Sequence, residues 1–192
     1  MQNRRQLSLD TILNASAALA EEKGLENITL NQVAEKLGIK SPSLYNHVSG
    51  IDGISEGLAK LAVRKLDATV RDAAVGRSKA QALEAIAYAY RKFAKENPEL
   101  YKAILKLPTC EDEELNEAAH AVVRIVYQVM EPYHYSEEDT IHFVRGFRSA
   151  LHGFVSLEDA GFFKSAFDAN ESYHRLVNGF LKFLELQEGV SC

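Results

Sequence analysis

Twenty residues, Thr29 to Val48 (TLNQVAEKLGIKSPSLYNHV), constrain this chain more than any other stretch. Thr29 and Gln32 stand at capping-box spacing: the Thr hydroxyl can accept from a first-turn N–H while Gln32 reaches back to the cap. Leu30, Val33 and Leu37 then recur at helical spacing, with small Ala34 beside them. Gly38 offers a left-handed stop, and Ile39 is the apolar residue that often follows one. Ser41-Pro42 starts a second helix at once, Ser as its cap and Pro where a missing N–H costs nothing. Two short helices around a glycine turn read as a helix-turn-helix.

The facing of the second helix decides what such a motif can do. At about 100° per residue, Leu44 and Val48 share an inward stripe, Pro42, Ser43 and Asn46 point the opposite way, and Tyr45 and His47 lie on the flanks. A small polar outer face suits the major groove of DNA, where Asn can pair with adenine and Ser can meet a base or a phosphate. Flanking Tyr and His reach the phosphate walls. Spacing alone leaves open an ordinary helical hairpin in an all-α protein.

Further residues narrow that choice. Leu9-Asp-Thr-Ile-Leu-Asn-Ala15, Glu22-Lys-Gly24, Ile28-Thr29, Val33-Ala-Glu-Lys-Leu-Gly-Ile39 and Ser43-Leu-Tyr-Asn-His-Val48 together resemble the DNA-binding domain of the TetR family of bacterial regulators, over residues 9–58. The resemblance implies DNA contact from Thr29, Lys40, Ser41, Ser43, Tyr45, Asn46 and His47, and outward-facing Pro42 joins that set. One position departs: Ile51 stands where the family usually has a lysine at the start of the next helix. Farther on, Arg148 to Phe162 (RSALHGFVSLEDAGF) resembles the subgroup named for a Trp-His-Gly motif, with Leu151 in place of the Trp and His152-Gly153 matching. This implies homodimerisation through the last two helices and an effector cavity enclosed by the middle ones.

Charge constrains how DNA is held. The formal net charge is −5, yet in residues 1–48 Arg4, Arg5, Lys23, Lys36 and Lys40 are balanced by Asp10, Glu21, Glu22, Glu26 and Glu35. Because phosphate neutralisation by Lys and Arg supplies much of DNA affinity, a neutral reading head calls for a dimer that doubles the contacts. An acidic remainder keeps the far end off the duplex. Arg4 and Arg5 form a basic arm able to enter a neighbouring minor groove, or a plain solvated terminus. Cys110 and Cys192 are too few for a disulfide framework or a zinc motif. There is no apolar run of bilayer length, and MQNRRQLSLD lacks a signal core, so the expected location is cytoplasmic and away from membrane.

The expected architecture is all-α with about nine helices: a three-helix DNA-binding domain over 1–50 and an effector-binding and dimerisation domain over 51–192. Leu9, Ile12, Leu13 and Ala20 make the inner stripe of a first helix from about Ser8 to Lys23. A long helix over about 51–75 reads as the strut between head and body, whose swing on effector binding changes the spacing of the reading helices. Helices follow over about 79–96, after Asn97-Pro98 as far as Pro108, from the acidic run 111–114 to Pro132, from Ser136 to about Gly161, and over about 169–187. Gly146, Ala150, Gly153 and Leu157 form a narrow seam, and Tyr173, Val177, Phe180 and Leu184 an apolar stripe. Paired across a two-fold axis, these helices make a four-helix dimer interface. Tyr90, Phe93, Tyr101, Tyr127, Phe143 and Phe147 are the residues expected to line a cavity for a hydrophobic or aromatic small molecule.

Two rival readings stand beside this one. Glu117-x-x-His120, Asp139-x-x-His142 and Glu171-x-x-His174 place an acid three residues before a His, as in di-iron four-helix bundles. The pairs at 117/120 and 171/174 face away from the apolar stripes, so they read as surface pairs, and neither metal nor cofactor is expected. The other rival is a helical small-molecule or metal-binding protein without specific DNA recognition. No phosphate-binding glycine loop, nucleophile elbow or zinc-protease motif occurs, which argues against an enzyme. The reading is a ligand-responsive transcriptional regulator, a repressor that binds a palindromic operator in double-stranded DNA as a dimer and is released by a small molecule.

Overall fold

Helix ends here are written by local chemistry. Ser8 accepts from the Thr11 N–H and Ser136 from the Asp139 N–H. Thr29 and Gln32 make both bonds of a capping box. Gly38 takes the left-handed conformation (φ 67°), letting the Ile39 N–H reach back to the Ala34 carbonyl at 3.0 Å. The computed structural model describes residues 7–105 and 113–188, the side chains of 113–119 and 188 excepted. Its α-helices are α1 (Leu9–Lys23), α2 (Leu30–Leu37), α3 (Gly50–Ala74), α4 (Lys79–Glu96), α5 (Pro98–Leu105), α6 (Glu113–Met130), α7 (Glu137–Asp159) and α8 (Ala169–Glu188). Ser41–Asn46, the reading segment, is 3-10 rather than α-helical, and short 3-10 turns follow α1 and α6. Among the described residues the fold is all-α, with every expected helical segment present; Pro108, the expected stop after α5, lies outside them.

The chain divides into two compact units. The first holds residues up to Arg64 and the stretch from Asn97 through Ala118; the second holds Lys65–Glu96 and the chain from Ala119 onward. Compactness thus divides the chain elsewhere than after residue 50, the boundary drawn by role.

In the first unit Ile12, Leu13, Ala20, Val33, Leu44, Ile54, Leu58 and Leu100 are buried, with Tyr101 the aromatic among them. Leu9 is a correction: it is 45 % exposed. As the first helical residue its side chain leans toward the N-terminus, past the core. Inclusion of α5 in this unit has a clear cause. The Glu21 carboxylate on α1 accepts from the N–H groups of Glu99 (3.3 Å) and Leu100 (3.1 Å), two first-turn donors that α5 cannot satisfy itself. Glu99 returns the contact, accepting from the Leu25 N–H at 2.6 Å and from Lys102 Nζ at 2.6 Å.

In the second unit α4, α7 and α8 close around Leu83, Ala87, Phe143, Val144, Phe147, Leu151, Tyr173, Val177, Leu181 and Leu184, with Met130 from the end of α6. This core is aromatic. Phe143 stacks on Phe147 at 5.8 Å, and Phe154 meets Tyr173 edge-on at 4.9 Å. The Tyr173 hydroxyl, carried into the core, donates to the Ala87 carbonyl at 2.6 Å, as a buried hydroxyl must.

Candidate nucleic-acid interface

The reading segment is seated by apolar residues and shows polar ones. Leu44 is fully buried and Val48 nearly so, while Pro42, Tyr45, Asn46 and His47 are exposed and Ser43 half-buried. Tyr45, at 62 % exposure, is a large aromatic ring held in solvent. Its 3-10 form changes the wheel read from sequence. With three residues per turn, side chains three apart eclipse, so Pro42/Tyr45 and Ser43/Asn46 make two outer rows and Ser41 falls in line with Leu44. Ser41 is therefore not the helix cap. Lys40 holds the cap position, with no side-chain cap bond, and Ser41 Oγ turns back to donate to Asn31 Oδ1 on α2 at 2.7 Å.

Thr29 stands at the exposed N-terminus of α2. Its backbone N–H is taken by Gln32 Oε1 at 2.9 Å, and its hydroxyl accepts from the Gln32 N–H at 3.3 Å. What Thr29 can offer an anion is the hydroxyl proton. Lys36 is tied to Glu22 at 2.6 Å, so its charge is already partnered within the neutral stretch 1–48. Ile51, on the first turn of α3, is an exposed apolar side chain where a lysine was expected by resemblance.

The second unit sorts the other expected residues. Tyr173, Val177 and Leu184 are essentially inaccessible: they pack inside their own subunit, against α4 and α7, and cannot form a self-association face. By contrast Gly146 is exposed, Ala150, Gly153 and Phe180 are half-buried, and Leu157 is 46 % exposed. With Leu176, Gly179 and Phe183, the residues Phe143, Gly146 and Phe180 line an open groove of about 920 Å³ along α7 and α8. Among the six aromatic residues assigned to a cavity, Phe93, Phe143 and Phe147 are buried, and Tyr90 and Tyr127 are half-buried against the core. Tyr101 is buried in the first unit, on α5, and so does not join the other five.

The described acids of the acid–His pairs bond elsewhere. Asp139 takes the Ser136 hydroxyl at 2.6 Å, Glu171 pairs with Arg175 at 2.7 Å, and His142 lies 3.8 Å from Glu138. His174 bonds the Tyr88 hydroxyl at 2.9 Å and Asn178 at 2.8 Å. No acid among these pairs with the His three residues on. Among the described residues no cluster of His, Cys, Asp or Glu could hold a metal ion. Glu117 lies outside the described side chains. No helix of the described residues is long and apolar enough to cross a membrane.

Comparison with known proteins gives the family. Residues 12–56 match the family model for bacterial regulatory proteins of the tetR family, and residues 83–180 match the tetracyclin repressor-like C-terminal domain. An uncharacterized HTH-type transcriptional regulator of Bacillus subtilis (strain 168), YobS, is 33 % identical over 186 residues, 96 % of either chain. The chain belongs to the TetR family.

A second relative, an uncharacterized HTH-type transcriptional regulator of Mycobacterium tuberculosis, is 30 % identical over 156 residues, 81 % of this chain and 72 % of its own. A solved structure from Rhodococcus sp. RHA1 superposes with a TM-score of 0.81 at 21 % identity, covering 95 % of this chain and 98 % of that one, which shows the same fold. TetR proteins are transcriptional regulators with a DNA-binding helix-turn-helix and a ligand-binding C-terminal domain, they typically dimerise, and they are not enzymes. That is the class of this chain, rather than a metal-binding bundle.

Membership leaves one group of residues unexplained, which the sequence reading passed over. Arg91 on α4 is buried and makes a two-pronged pair with Glu158 at the end of α7, Nε to Oε2 at 2.8 Å and Nη2 to Oε1 at 2.5 Å, while Nη1 bonds Asn170 at 3.0 Å. Its guanidinium lies over the rings of Tyr173 (4.8 Å) and Phe154 (5.4 Å). The hydrogen bond to Glu158 raises the Arg91 pKa further, and the same bond holds Glu158 below the usual carboxylate range. Arg91 links α4, α7 and α8 by charge as the core links them by packing. A signal was present: Arg91 stands four residues after Ala87 and three before Ala94, in the buried register of its helix.

Proposed function

We propose that this chain is a homodimeric repressor that reads an inverted repeat through Ser43, Tyr45, Asn46 and His47, with Thr29 and Lys40 on the flanking phosphates, and that a small molecule releases it. The observation carrying this reading is the reading segment itself. Two buried residues, Leu44 and Val48, fix a short helix whose outer rows are small, polar or polar-tipped and open to solvent. In a dimer the two segments stand about 34–36 Å apart, or a multiple of that. The partner copy seats on α7 and α8, over Gly146, Ala150, Gly153, Leu157 and Phe180, of which Gly146 and Phe180 line the groove. The effector is a hydrophobic or aromatic molecule, on the ground that half-buried Tyr90 and Tyr127 border the core that holds Phe143 and Phe147. It releases DNA only by favouring a dimer whose reading segments are off the operator spacing.

The test is selection of bound duplexes from a random pool at low salt, followed by sequencing. An inverted repeat with a fixed half-site spacing is expected; a folded dimer that enriches no sequence, with and without hydrophobic candidate effectors, removes the reading. Asn46→Ala should weaken specific binding by about 1–3 kcal/mol if Asn46 contacts a base, and unchanged operator preference would take that role from it. For the dimer, Gly153→Glu is informative because a Cβ at Gly153 meets nothing within 4 Å of its own chain. Light scattering should then report monomers, whereas an intact dimer would move the interface elsewhere.

A further inference from the structure

A side-chain pair whose polarity is fixed by the fold ties the reading segment to α2. Ser41 Oγ donates to Asn31 Oδ1 at 2.7 Å. That is the usual length of an O–H···O bond and shorter than most N–H···O bonds, so the serine proton is spent on Asn31. A hydroxyl has a single proton and two lone pairs; what Ser41 keeps is acceptor capacity alone. The 3-10 geometry brings this about, by placing Ser41 in line with Leu44 and turning it toward α2. Had Ser41 capped an α-helix, its oxygen would accept from a backbone N–H and its proton would remain available. The two geometries leave opposite hydrogen-bonding characters at one surface position.

We infer that Asn31 sets the base preference of Ser41, making that hydroxyl an acceptor-only probe that selects a base amino group, adenine N6 or cytosine N4, on the strand it faces. The major groove offers those two amino donors against the acceptors guanine N7 and O6 and thymine O4. Phosphates offer acceptors only, so Ser41 held in this way is no phosphate anchor. Asn31 keeps its Nδ2 donors for a phosphate oxygen or a base acceptor. Asn31 is thus a positioning residue for recognition, and Ser41 the contacting one. The inference rests on the DNA-reading function proposed above.

The experiment is the same duplex selection, run side by side on the wild type, Ser41→Ala, Asn31→Ala and Asn31→Asp, each checked for folding by circular dichroism. The wild type should show A or C enriched on one strand at one base pair of each half-site. Ser41→Ala should erode that preference about five- to tenfold and leave other positions intact. Asn31→Ala frees the serine proton and should move the preference at that same base pair toward G or T. Asn31→Asp retains the acceptor, so it should keep A or C, with weaker binding overall beside the phosphates. An inverted repeat enriched by the wild type but unchanged by Ser41→Ala and Asn31→Ala overturns this inference and leaves the function standing. No enriched repeat from the wild type overturns both.

Discussion

The two compact units are held by different chemistry. In the first, the buried side chains are aliphatic but for Tyr101, and carboxylates sit on backbone donors: Glu21 closes the first turn of α5 and Glu99 closes the turn after α1. These contacts finish helices that would otherwise end with unsatisfied N–H groups. In the second, the core is aromatic and the polar link is a buried guanidinium that binds side chains from two other helices and lies over two rings. A capping contact replaces water at a helix end and its loss is local. A buried charge is tolerated only while its partners stay in place. The difference predicts that the second unit depends on one residue far more than the first does on any polar residue.

Arg91→Ala should show the largest effect, about 3–5 kcal/mol by chemical denaturation, because it leaves Glu158 and Asn170 without their main partner. Lysine at this position cannot form the two-pronged contact and should recover only part. A loss below about 1 kcal/mol would mean that Lys95, 3.4 Å from Glu158, carries the pair, and the contrast would fail. Leu44→Ala is the matching break in the first unit: about 3 kcal/mol for truncating a fully buried leucine. It should abolish DNA retention as well, since Leu44 seats the reading segment. Retention at wild-type level would show that the segment is held some other way.

Thr29→Ala removes one capping oxygen and should cost about 1 kcal/mol in a thermal melt, with a further loss in DNA binding if its hydroxyl proton serves a phosphate. The last effect is a pH dependence, flat at neutral pH and visible only in acid. Glu99 gains its low pKa against burial, which opposes it, through Lys102 and the Leu25 N–H; Glu158 gains its own from Arg91. Both carboxyls are depressed in the folded state, so their stabilisation is complete above the unfolded value of about 4.3 and lost as pH falls through the lower folded values. In that window the unfolded chain binds more protons, and stability rises with pH. Urea unfolding across this acid range should show a shallower dependence for Glu158→Gln and Glu99→Gln than for the wild type. Equal slopes would remove these groups as the source.

Much of this was legible in residue order. Thr29 and Gln32 cap α2, Gly38 stops it and Ser136 starts α7, as their types and spacing require. The outward facing of Pro42 and Asn46 was legible too, because Leu44 and Val48 point inward; Ser43, read as outward, is half-buried, and Tyr45 and His47, read as flanking, are exposed. Ser41 was not: whether a serine before Pro42 caps an α-helix or turns toward a neighbour depends on Asn31, ten residues away on another helix. Tyr173, Val177 and Leu184 formed a clear stripe on paper, yet the stripe could not say whether α4 of the same chain or a second copy would cover it.

Sequence alone thus determined where helices begin and end, which residues of the reading segment face solvent, and the family to which the chain belongs. Those rest on bonds within a turn or two of chain, or on a motif spelled in order. Tertiary structure decided that α5 sides with α1, that Arg91 is buried, that the reading segment winds as a 3-10 helix, and which apolar stripe stays inside the subunit. The hydrophobic effect rewards removal of a surface from water without specifying what removes it; only the packed chain supplies that partner.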